Sequence, residues 1–165
     1  MSFSEYFSKQ ARKPYGLFGR LVMSRIFDQG NSFLNNFMEE ALSLEENDHI
    51  LEIGFGTGRL LYRLAKQIND GKLEGIDFFD TMVVIAKKKN KKFIDQGKVI
   101  LNQGNFESFS CCENTFDKIC SSNTIYFWQH PEIYIKKIEK ILKPGGKVVL
   151  AFEDKENLAN KTLNP

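Results

Sequence analysis

Short apolar segments alternate with amphipathic ones along most of this chain. The apolar segments are typical of buried strands and lie within residues 50–53, 72–77, 98–107, 114–123 and 142–150. Between them, apolar residues recur at helical spacing from about residue 57 to 68, 81 to 96 and 131 to 142. Strands that alternate with helices favour a parallel sheet whose crossover helices cover both faces. The pattern therefore predicts an α/β fold with a Rossmann-like, doubly wound, mostly parallel sheet, preceded by N-terminal helices.

The first apolar strand runs directly into a loop with three glycines, Gly54, Gly56 and Gly58. Glycine lacks a Cβ and tolerates positive φ, so the backbone can turn sharply and lie against a ligand before a helix begins. A dinucleotide fingerprint would need glycine or alanine at position 59, which is Arg59 in this chain. The loop therefore favours a small-molecule cofactor other than NAD, with an ordinary strand-to-helix turn as the alternative.

Two acidic residues stand near the carboxyl ends of the first two predicted strands. Glu52 lies two residues before the loop in an otherwise apolar strand, and a buried carboxylate needs a partner. Asp77 ends the second strand, and neighbouring strands of such a sheet bring their carboxyl ends to one crevice. Its carboxylate can bind both hydroxyls of a ribose, or it can serve only as a turn or cap residue. Asp80 is the predicted helix cap, which leaves Asp77 for a ligand.

Taken in order, these segments resemble the class I S-adenosylmethionine-dependent methyltransferases, and in particular the small methyltransferase type 11-like domains. The family's first motif has the form acidic-x-Gly-x-Gly-x-Gly, which stands here as Glu52-Ile-Gly-Phe-Gly-Thr-Gly58. The acidic end of the second strand, the Gly104-Asn105 turn, the Phe116-Asp117 strand and the Pro144-Gly-Gly146 turn follow in the family's order. The resemblance implies S-adenosylmethionine as the cofactor and methyl transfer as the reaction.

The resemblance also implies the cofactor contacts. The glycine loop would wrap the methionine half of the cofactor, with Glu52 holding its cationic amino group and Asp77 holding both ribose hydroxyls. Phe78 and Phe106 would pack against adenine. The side-chain oxygen of Asn105, where many family members carry Asp, would accept a hydrogen bond from the adenine amino group. The implied cofactor-binding residues are Glu52, Gly54, Gly56, Thr57, Gly58, Asp77, Phe78, Asn105, Phe106 and Asn123.

The segment after the fourth strand is expected to face the transferred methyl group. Ser122, Asn123, Tyr126 and Trp128 are therefore candidates for lining the reaction chamber. If the acceptor needs deprotonation, His130 and Tyr126 are the candidate catalytic residues, although a loop histidine often has no chemical role. No signature of a DNA, RNA or protein acceptor is present, so a small organic acceptor is expected, and the resemblance includes lipophilic ones. A non-catalytic S-adenosylmethionine-binding module or a truncated regulatory partner is the alternative function.

The length, net charge and cysteine content limit the number of domains, the partners and the cellular location that we expect. The chain has 165 residues, of which 42% are hydrophobic, and this suits one globular domain. The net charge of +2 does not indicate nucleic-acid binding, and the lysine run at 87–92 is interpreted as a solvated helix face. Three cysteines match neither a zinc spacing nor a disulfide framework, so we expect no metal and a cytoplasmic location. No apolar run approaches the ~20 residues that span a bilayer, so stable membrane insertion is not expected.

The two ends of the chain lead to further predictions. Residues 1–46 are predicted to form an N-terminal helical cap in which Tyr15 and Arg20 could touch the cofactor or acceptor, with a membrane-surface helix at 17–27 as the alternative. Residues 47–165 are predicted to form the methyltransferase domain, truncated after the fifth strand because the remaining residues show no strand alternation. A fifth strand at the edge would expose unpaired backbone groups, which predicts a homodimer or a fragment of a longer protein.

Overall fold

A computed structural model describes residues 32–152 of the chain. In this range the helices are α1 (Ser32–Leu42), α2 (Arg59–Leu64), α3 (Asp80–Asp95) and α4 (Pro131–Ile141). The strands are β1 (His49–Ile53), β2 (Lys72–Asp77), β3 (Val99–Gln103), β4 (Phe116–Ser122) and β5 (Leu142–Ala151). Short 3₁₀ helices at Phe106–Ser108 and Ile125–Phe127 follow β3 and β4.

The five strands form one parallel sheet in the order β3-β2-β1-β4-β5. β1 lies at the centre, where Glu52 is in register with Gly75 of β2 and Cys120 of β4. Successive strands are added on one side of β1 up to β3 and on its other side from β4 onward. Open parallel sheets bind ligands at the carboxyl ends of the strands beside such a reversal. The predicted α/β fold with a parallel sheet is confirmed.

One face of the sheet carries α1, α2 and α3 over a continuous apolar core. Burying an aliphatic side chain of this kind stabilises the fold by ~1.5–3 kcal/mol. The fully buried members include Met38, Leu42, Ile50, Leu61, Leu64 and Leu73. α1 therefore belongs to the same packed layer as the helices that flank the glycine loop.

The opposite face is covered by α4 and the two 3₁₀ turns, and its core is rich in aromatic residues. Trp128 stacks on Tyr134 with 4.5 Å between ring centroids, and Phe106 lies 5.3 Å from Tyr134. Leu51 and Ile53 of β1 point to this face because successive side chains of a strand alternate between faces. Helices thus cover both faces of the sheet, as the sequence pattern predicts.

Two helix boundaries differ from the predicted ones. α2 ends at Leu64 rather than near residue 68, and the chain continues in turns before β2. α3 begins at Asp80, so the residue at its N-cap is Phe79. The phenyl ring of Phe79 has no polar atom that could accept a hydrogen bond from the first turn of the helix. The predicted capping by Asp80 is therefore wrong. The carboxylate of Asp77 instead accepts a hydrogen bond from the Phe79 amide at 2.9 Å.

The start of β5 also differs from prediction, because the strand begins directly at the end of α4. Phe116 pairs with Leu142 and Lys118 pairs with Lys147, so five residue steps in β5 face two in β4. The extra residues form an irregularity in which Gly145 has a φ of +79°. The predicted Pro-Gly-Gly turn is therefore absorbed into the strand as a bulge.

The predicted N-terminal cap lies mostly outside the described residues, including the segment 17–27, Tyr15 and Arg20. Of residues 1–46, the structure describes 32–46, where α1 packs against β4, β5 and α2. Within the described part of the chain, no helix combines the length and the apolarity that crossing a membrane requires.

Candidate functional site

Hydrogen bonds join the loops at the carboxyl ends of neighbouring strands. The loop after β1 is tied to β2, because the Gly54 amide donates to the Ile76 carbonyl at 2.7 Å. The turn after β3 is tied to β2 in the same way, because the Gly104 amide donates to the Asp77 carbonyl at 2.9 Å. The Ser121 hydroxyl of β4 donates to the last carbonyl of β1 at 2.7 Å. These links bring the predicted site residues to one edge of the sheet.

The three loop glycines all have positive φ, but their surroundings differ. A Cβ on Gly54 would lie 2.2 Å from Cγ2 of Thr124, and one on Gly58 would lie 2.7 Å from Cβ of Ala86. These two positions exclude a side chain because other parts of the protein lie against them. A Cβ on Gly56 would meet no atom of residues 32–152 within 4 Å. The backbone at Gly56 therefore has an open side, where a ligand can approach it.

Asp77 at the end of β2 holds the glycine loop in place. Its carboxylate accepts hydrogen bonds from the Gly56 amide at 2.7 Å and from the Phe79 amide at 2.9 Å. The side chain is buried, and this burial raises the pKa of Asp77 to about 6 against the opposing effect of the two amide donors. Asp77 thus lies beside Gly56. A ligand hydroxyl that reached the Asp77 carboxylate would either add to the two amide donors or replace one of them.

Glu52 lies under the loop in β1 and is almost completely buried. The Leu61 amide donates a hydrogen bond to its carboxylate, but Oε2 has no hydrogen-bond partner among the described residues. Burial, and secondly the neighbouring negative charge of Asp77, raise the pKa of Glu52 well above its ordinary value. An unpaired buried polar group costs ~1–3 kcal/mol, and more when it is charged. A cationic ligand group beside Oε2 would remove this cost, so the site fits such a group.

Two side chains of α3 support the glycine loop from outside. The Lys89 ammonium donates to the Thr57 hydroxyl at 3.2 Å, and the Asn90 amide donates to the Gly58 carbonyl at 2.9 Å. Neither residue is among the predicted site residues, because a run of lysines on a helix is typical of a solvated face. The available signal was a polar residue at position 90 within the apolar stripe of a predicted amphipathic helix.

On the β2–β3 side, the two predicted adenine neighbours have different environments. Phe78 is 62% exposed and contacts the edge of the Phe79 ring. Phe106 is 3% exposed and packs between Phe109 and Tyr134. The Phe106 ring thus belongs to the aromatic core, whereas Phe78 is accessible to a ligand.

Asn105 follows β3 as predicted, but its side-chain oxygen already has two donors. It accepts from the Glu107 amide at 3.0 Å and from the Tyr134 hydroxyl at 2.9 Å. Because a backbone amide can only donate, the side-chain oxygen must face Glu107. The remaining polar group of Asn105 is its amino group, a donor, whereas the sequence analysis expects an accepting oxygen to face adenine.

The loop after β4 contains the predicted acceptor residues. Asn123 has a φ of +53°, and its amide donates to the Ala151 carbonyl at 2.8 Å, so it joins β4 to β5. Tyr126 and the neighbouring Phe127 are 47% and 54% exposed. His130, at the N-cap of α4, is exposed, with Nδ1 3.6 Å from the carboxylate of Glu132.

The side chain of Trp128 does not lie where the sequence predicts, which is in the lining of the reaction chamber. It is 7% exposed and stacks on Tyr134 within the core of the α4 face. Its role in the structure is to anchor the loop after β4, while the residues around it face outward. In the region from residue 32 to 152, no three His, Cys, Asp or Glu side chains come together as a group that could hold a metal ion.

Comparisons with known proteins place this geometry in context. Residues 50–146 match the family described as a methyltransferase domain. The uncharacterized methyltransferase YdaC of Bacillus subtilis is 32% identical over 136 residues, which cover 82% of this chain and 73% of YdaC. A malonyl-[acyl-carrier protein] O-methyltransferase of Priestia megaterium is 30% identical over 139 residues, covering 84% of this chain and 47% of that enzyme.

A solved structure from Methanococcus maripaludis, described as an S-adenosyl-L-methionine-dependent methyltransferase, shares the fold. It has a TM-score of 0.69 and 25% identity, over 88% of this chain and 68% of the other. The sequence match and the structural match thus agree on one family.

Proposed function

Because this chain belongs to the methyltransferase domain family, we propose that it transfers a methyl group from S-adenosylmethionine to an oxygen of a small organic acceptor with an apolar part. The family and its cofactor, S-adenosylmethionine, agree with the predictions from the sequence. When bound, this cofactor supplies an electrophilic methyl carbon on a sulfonium. The protein must then hold the acceptor in line with that carbon and the sulfur, and positioning alone can lower a barrier by up to ~7–11 kcal/mol.

One observation carries the proposed cofactor placement, namely the unpaired, buried Oε2 of Glu52 in the strand that leads into the glycine loop. The cationic amino group of the cofactor would remove the cost of this buried oxygen and favour the ionised form of Glu52. Asp77 would take the ribose hydroxyls, in exchange for one or both of its amide donors. Around these two carboxylates, the remaining proposed contacts are Gly54, Gly56, Thr57, Gly58, Phe78, Asn105 and Asn123, while the Phe106 ring belongs to the aromatic core.

The proposed acceptor side is the loop after β4. Tyr126 and Phe127 are large side chains that remain half-exposed there, so they support an acceptor with an apolar or lipophilic part. The relative from Priestia megaterium is named for O-methylation, which makes oxygen the first acceptor atom to test. His130 and Tyr126 stay the candidate general bases. An exposed imidazole such as that of His130 can exchange protons with solvent between turnovers.

Other predictions from the sequence stay predictions. They are the helical cap in residues 1–46, the domain from residue 47 onward, the homodimer and the cytoplasmic location. Light scattering of the full chain at micromolar concentration would test the homodimer, and a monomer would contradict it. The alternative of a binding module without catalysis would be favoured by tight cofactor binding without turnover on any oxygen acceptor.

The cofactor placement is tested by isothermal titration calorimetry with S-adenosylhomocysteine and S-adenosylmethionine. We expect Glu52→Gln to weaken binding of both by about tenfold or more, because the variant removes the charge that faces the cationic amino group. The matched control is Glu74→Gln, since Glu74 is a strand carboxylate too, is half-buried and bonds His49 at 2.9 Å. Equal affinities for the wild type and Glu52→Gln would contradict the placement.

A further inference from the structure

Asn90 is a polar residue inside the apolar stripe of α3. It is 0% exposed and lies among buried residues such as Val83, Ala86 and Phe93. Its Nδ2 donates two hydrogen bonds, to the Gly58 carbonyl at 2.9 Å and to the Ala86 carbonyl at 3.0 Å. Its Oδ1 has no hydrogen-bond partner among the described residues.

This half-satisfied amide is unfavourable for folding on its own. A buried oxygen without a donor loses its bonds to water and gains none in return. A leucine at position 90 would have the same branched skeleton and would place no unpaired polar atom in this apolar space. Stability alone therefore does not account for asparagine here, and its donating Nδ2 must serve another purpose.

The Nδ2 of Asn90 acts on the peptide that ends the glycine loop. Gly58 has a φ of +70° and stands at the N-cap of α2. Its carbonyl also accepts from the Tyr62 amide at 3.1 Å, which is the first intrahelical bond of α2. A Cβ on Gly58 would lie 2.6 Å from Nδ2 of Asn90, so α3 and the loop are in close contact. Asn90 thus fixes the direction of the Gly58 carbonyl, while the ligand side of the loop is open at Gly56.

We propose that Asn90 is a positioning residue for the cofactor loop. It acts through Gly58 and has no contact with the cofactor. Fixing the Gly58 peptide also fixes the adjoining peptides of Gly56 and Thr57, against which the methionine half of the cofactor lies. Lys89, the preceding residue, supports the same loop at Thr57. This inference rests on the proposed placement of the cofactor against the loop.

The test separates binding from stability in the full chain. In Asn90→Leu, the dissociation constant for S-adenosylhomocysteine should rise about fivefold to tenfold, the size expected for one lost hydrogen bond. Its thermal midpoint should stay equal or rise, because the unpaired Oδ1 is gone. A merely structural role for Asn90 would instead lower the midpoint and leave the dissociation constant unchanged.

The control for stability is Ile68→Val, which removes a methyl group from the same core beyond the end of α2. Its midpoint should fall while its affinity for S-adenosylhomocysteine stays within about twofold of the wild type. If Asn90→Leu does not fold, Asn90→Ala is compared with Ile68→Ala, because both leave a cavity and only the first removes a donor from the loop.

The outcomes are distinct. If the wild type does not bind S-adenosylhomocysteine, the proposed function is overturned and the role of Asn90 with it. If the wild type binds and the Asn90 variant binds equally well, the proposed function stands and the positioning role of Asn90 is overturned. Weaker binding by the Asn90 variant at an undiminished thermal midpoint supports the positioning role.

Discussion

The two halves of the candidate site differ in their groups and in their exposure to solvent. On the β1–β2 side, Glu52, Thr57 and Asp77 are 3%, 6% and 6% exposed, and backbone amides and glycines shape the surface. On the β4 side, Tyr126 and Phe127 are half-exposed side chains on a loop. A buried and bonded half suits a cofactor that all members of a family share. A half made of exposed side chains suits an acceptor that can differ between members, because single substitutions change it without disturbing the fold.

A contact between Gly54 and Thr124 joins the two halves. The Thr124 methyl group occupies the space that a side chain on Gly54 would need, and its hydroxyl is hydrogen-bonded to Ser121. Ser121 in turn donates to the Ile53 carbonyl. The acceptor loop is therefore attached to the strand that leads into the cofactor loop.

The largest effect is expected from Gly54→Ala, which would break this junction. Alanine at a φ of +74° costs ~1–2 kcal/mol, and forcing its Cβ against Thr124 adds ~1–3 kcal/mol. We expect the free energy of unfolding to fall by ~2–5 kcal/mol and S-adenosylhomocysteine binding to be lost. Urea denaturation and calorimetry measure the two effects.

Gly97→Ala is the matched control for this substitution. Gly97 has a φ of +71°, but a Cβ there would meet no described residue within 4 Å, so the backbone cost is the one expected. The double variant Gly54→Ala/Thr124→Ser removes the colliding methyl group and should recover part of the stability. Equal losses in the Gly54 and Gly97 variants would show that the contact with Thr124 does not matter.

The next largest effect is expected from Asp77→Asn. The substitution would weaken the two charge-assisted hydrogen bonds proposed between Asp77 and the ribose, each worth ~1.5–3 kcal/mol. We expect the dissociation constant of S-adenosylhomocysteine to rise by about tenfold to a hundredfold at pH 8. An unchanged constant would remove Asp77 from the proposed cofactor site.

The pH dependence of binding gives an independent check on Asp77. Its pKa rises from 3.8 to about 6 on folding, so its contribution to stability is greatest below pH 3.8 and is lost as the pH rises through 6. Cofactor affinity should change in the opposite direction, because in the proposed placement the ribose hydroxyls would donate to the ionised carboxylate. Binding by the wild type should therefore strengthen between pH 5 and pH 8, and this dependence should be smaller in Asp77→Asn. A wild-type affinity that falls over this range would contradict the assignment.

A smaller effect is expected from Tyr134→Phe, which tests the adenine side. The ring would still stack on Trp128, but Asn105 would lose one of its two donors, at a cost of ~0.5–1.5 kcal/mol in stability. The Glu107 amide still orients Asn105, so S-adenosylhomocysteine affinity should change by only about twofold to threefold. Tyr62→Phe is the control, because Tyr62 packs on Phe93 on the opposite face of the sheet. A loss of binding as large as that in Asp77→Asn would mean that Tyr134 does more than hold Asn105.

The smallest effect is expected from Phe127→Ser on the acceptor loop. The side chain is exposed, so stability should change by no more than ~0.5 kcal/mol and S-adenosylhomocysteine binding by less than about twofold. Turnover with an apolar acceptor should decrease, whereas calorimetry should detect almost nothing. If S-adenosylhomocysteine affinity fell as far as in Asp77→Asn, the loop after β4 would contribute to cofactor binding, and the division into a cofactor half and an acceptor half would be wrong.

The sequence predicts the cofactor half better than the acceptor half, because the signals for the first are local. The three glycines lie within one short segment, and Asp77 is recognisable as a carboxylate at the end of a strand. The structure places these residues at one edge of the sheet. The contacts of Lys89 with Thr57 and of Asn90 with Gly58 each join residues 32 positions apart, so they depend on how α3 packs. The side-chain oxygen of Asn105 is bound by Tyr134, 29 positions away.

The exposure of aromatic residues that follow strands was the second feature that the sequence did not predict. Phe106 and Trp128 are buried, while Phe78 and Phe127 are exposed, although all four follow a strand. Composition cannot distinguish these cases, because either environment favours a large apolar side chain. The burial of Trp128 is decided by Tyr134 on α4, which forms the surface against which it stacks.

The bridge that Asp77 forms between the Gly56 and Phe79 amides has a kinetic consequence. The carboxylate already accepts from the amides that shape the loop, so the glycine loop itself does not have to fold when the cofactor arrives. Association at this loop then requires an exchange of hydrogen-bond partners, and the loop loses little conformational entropy. The lifetime of the bound product should accordingly depend on its own contacts rather than on a slow opening of the loop.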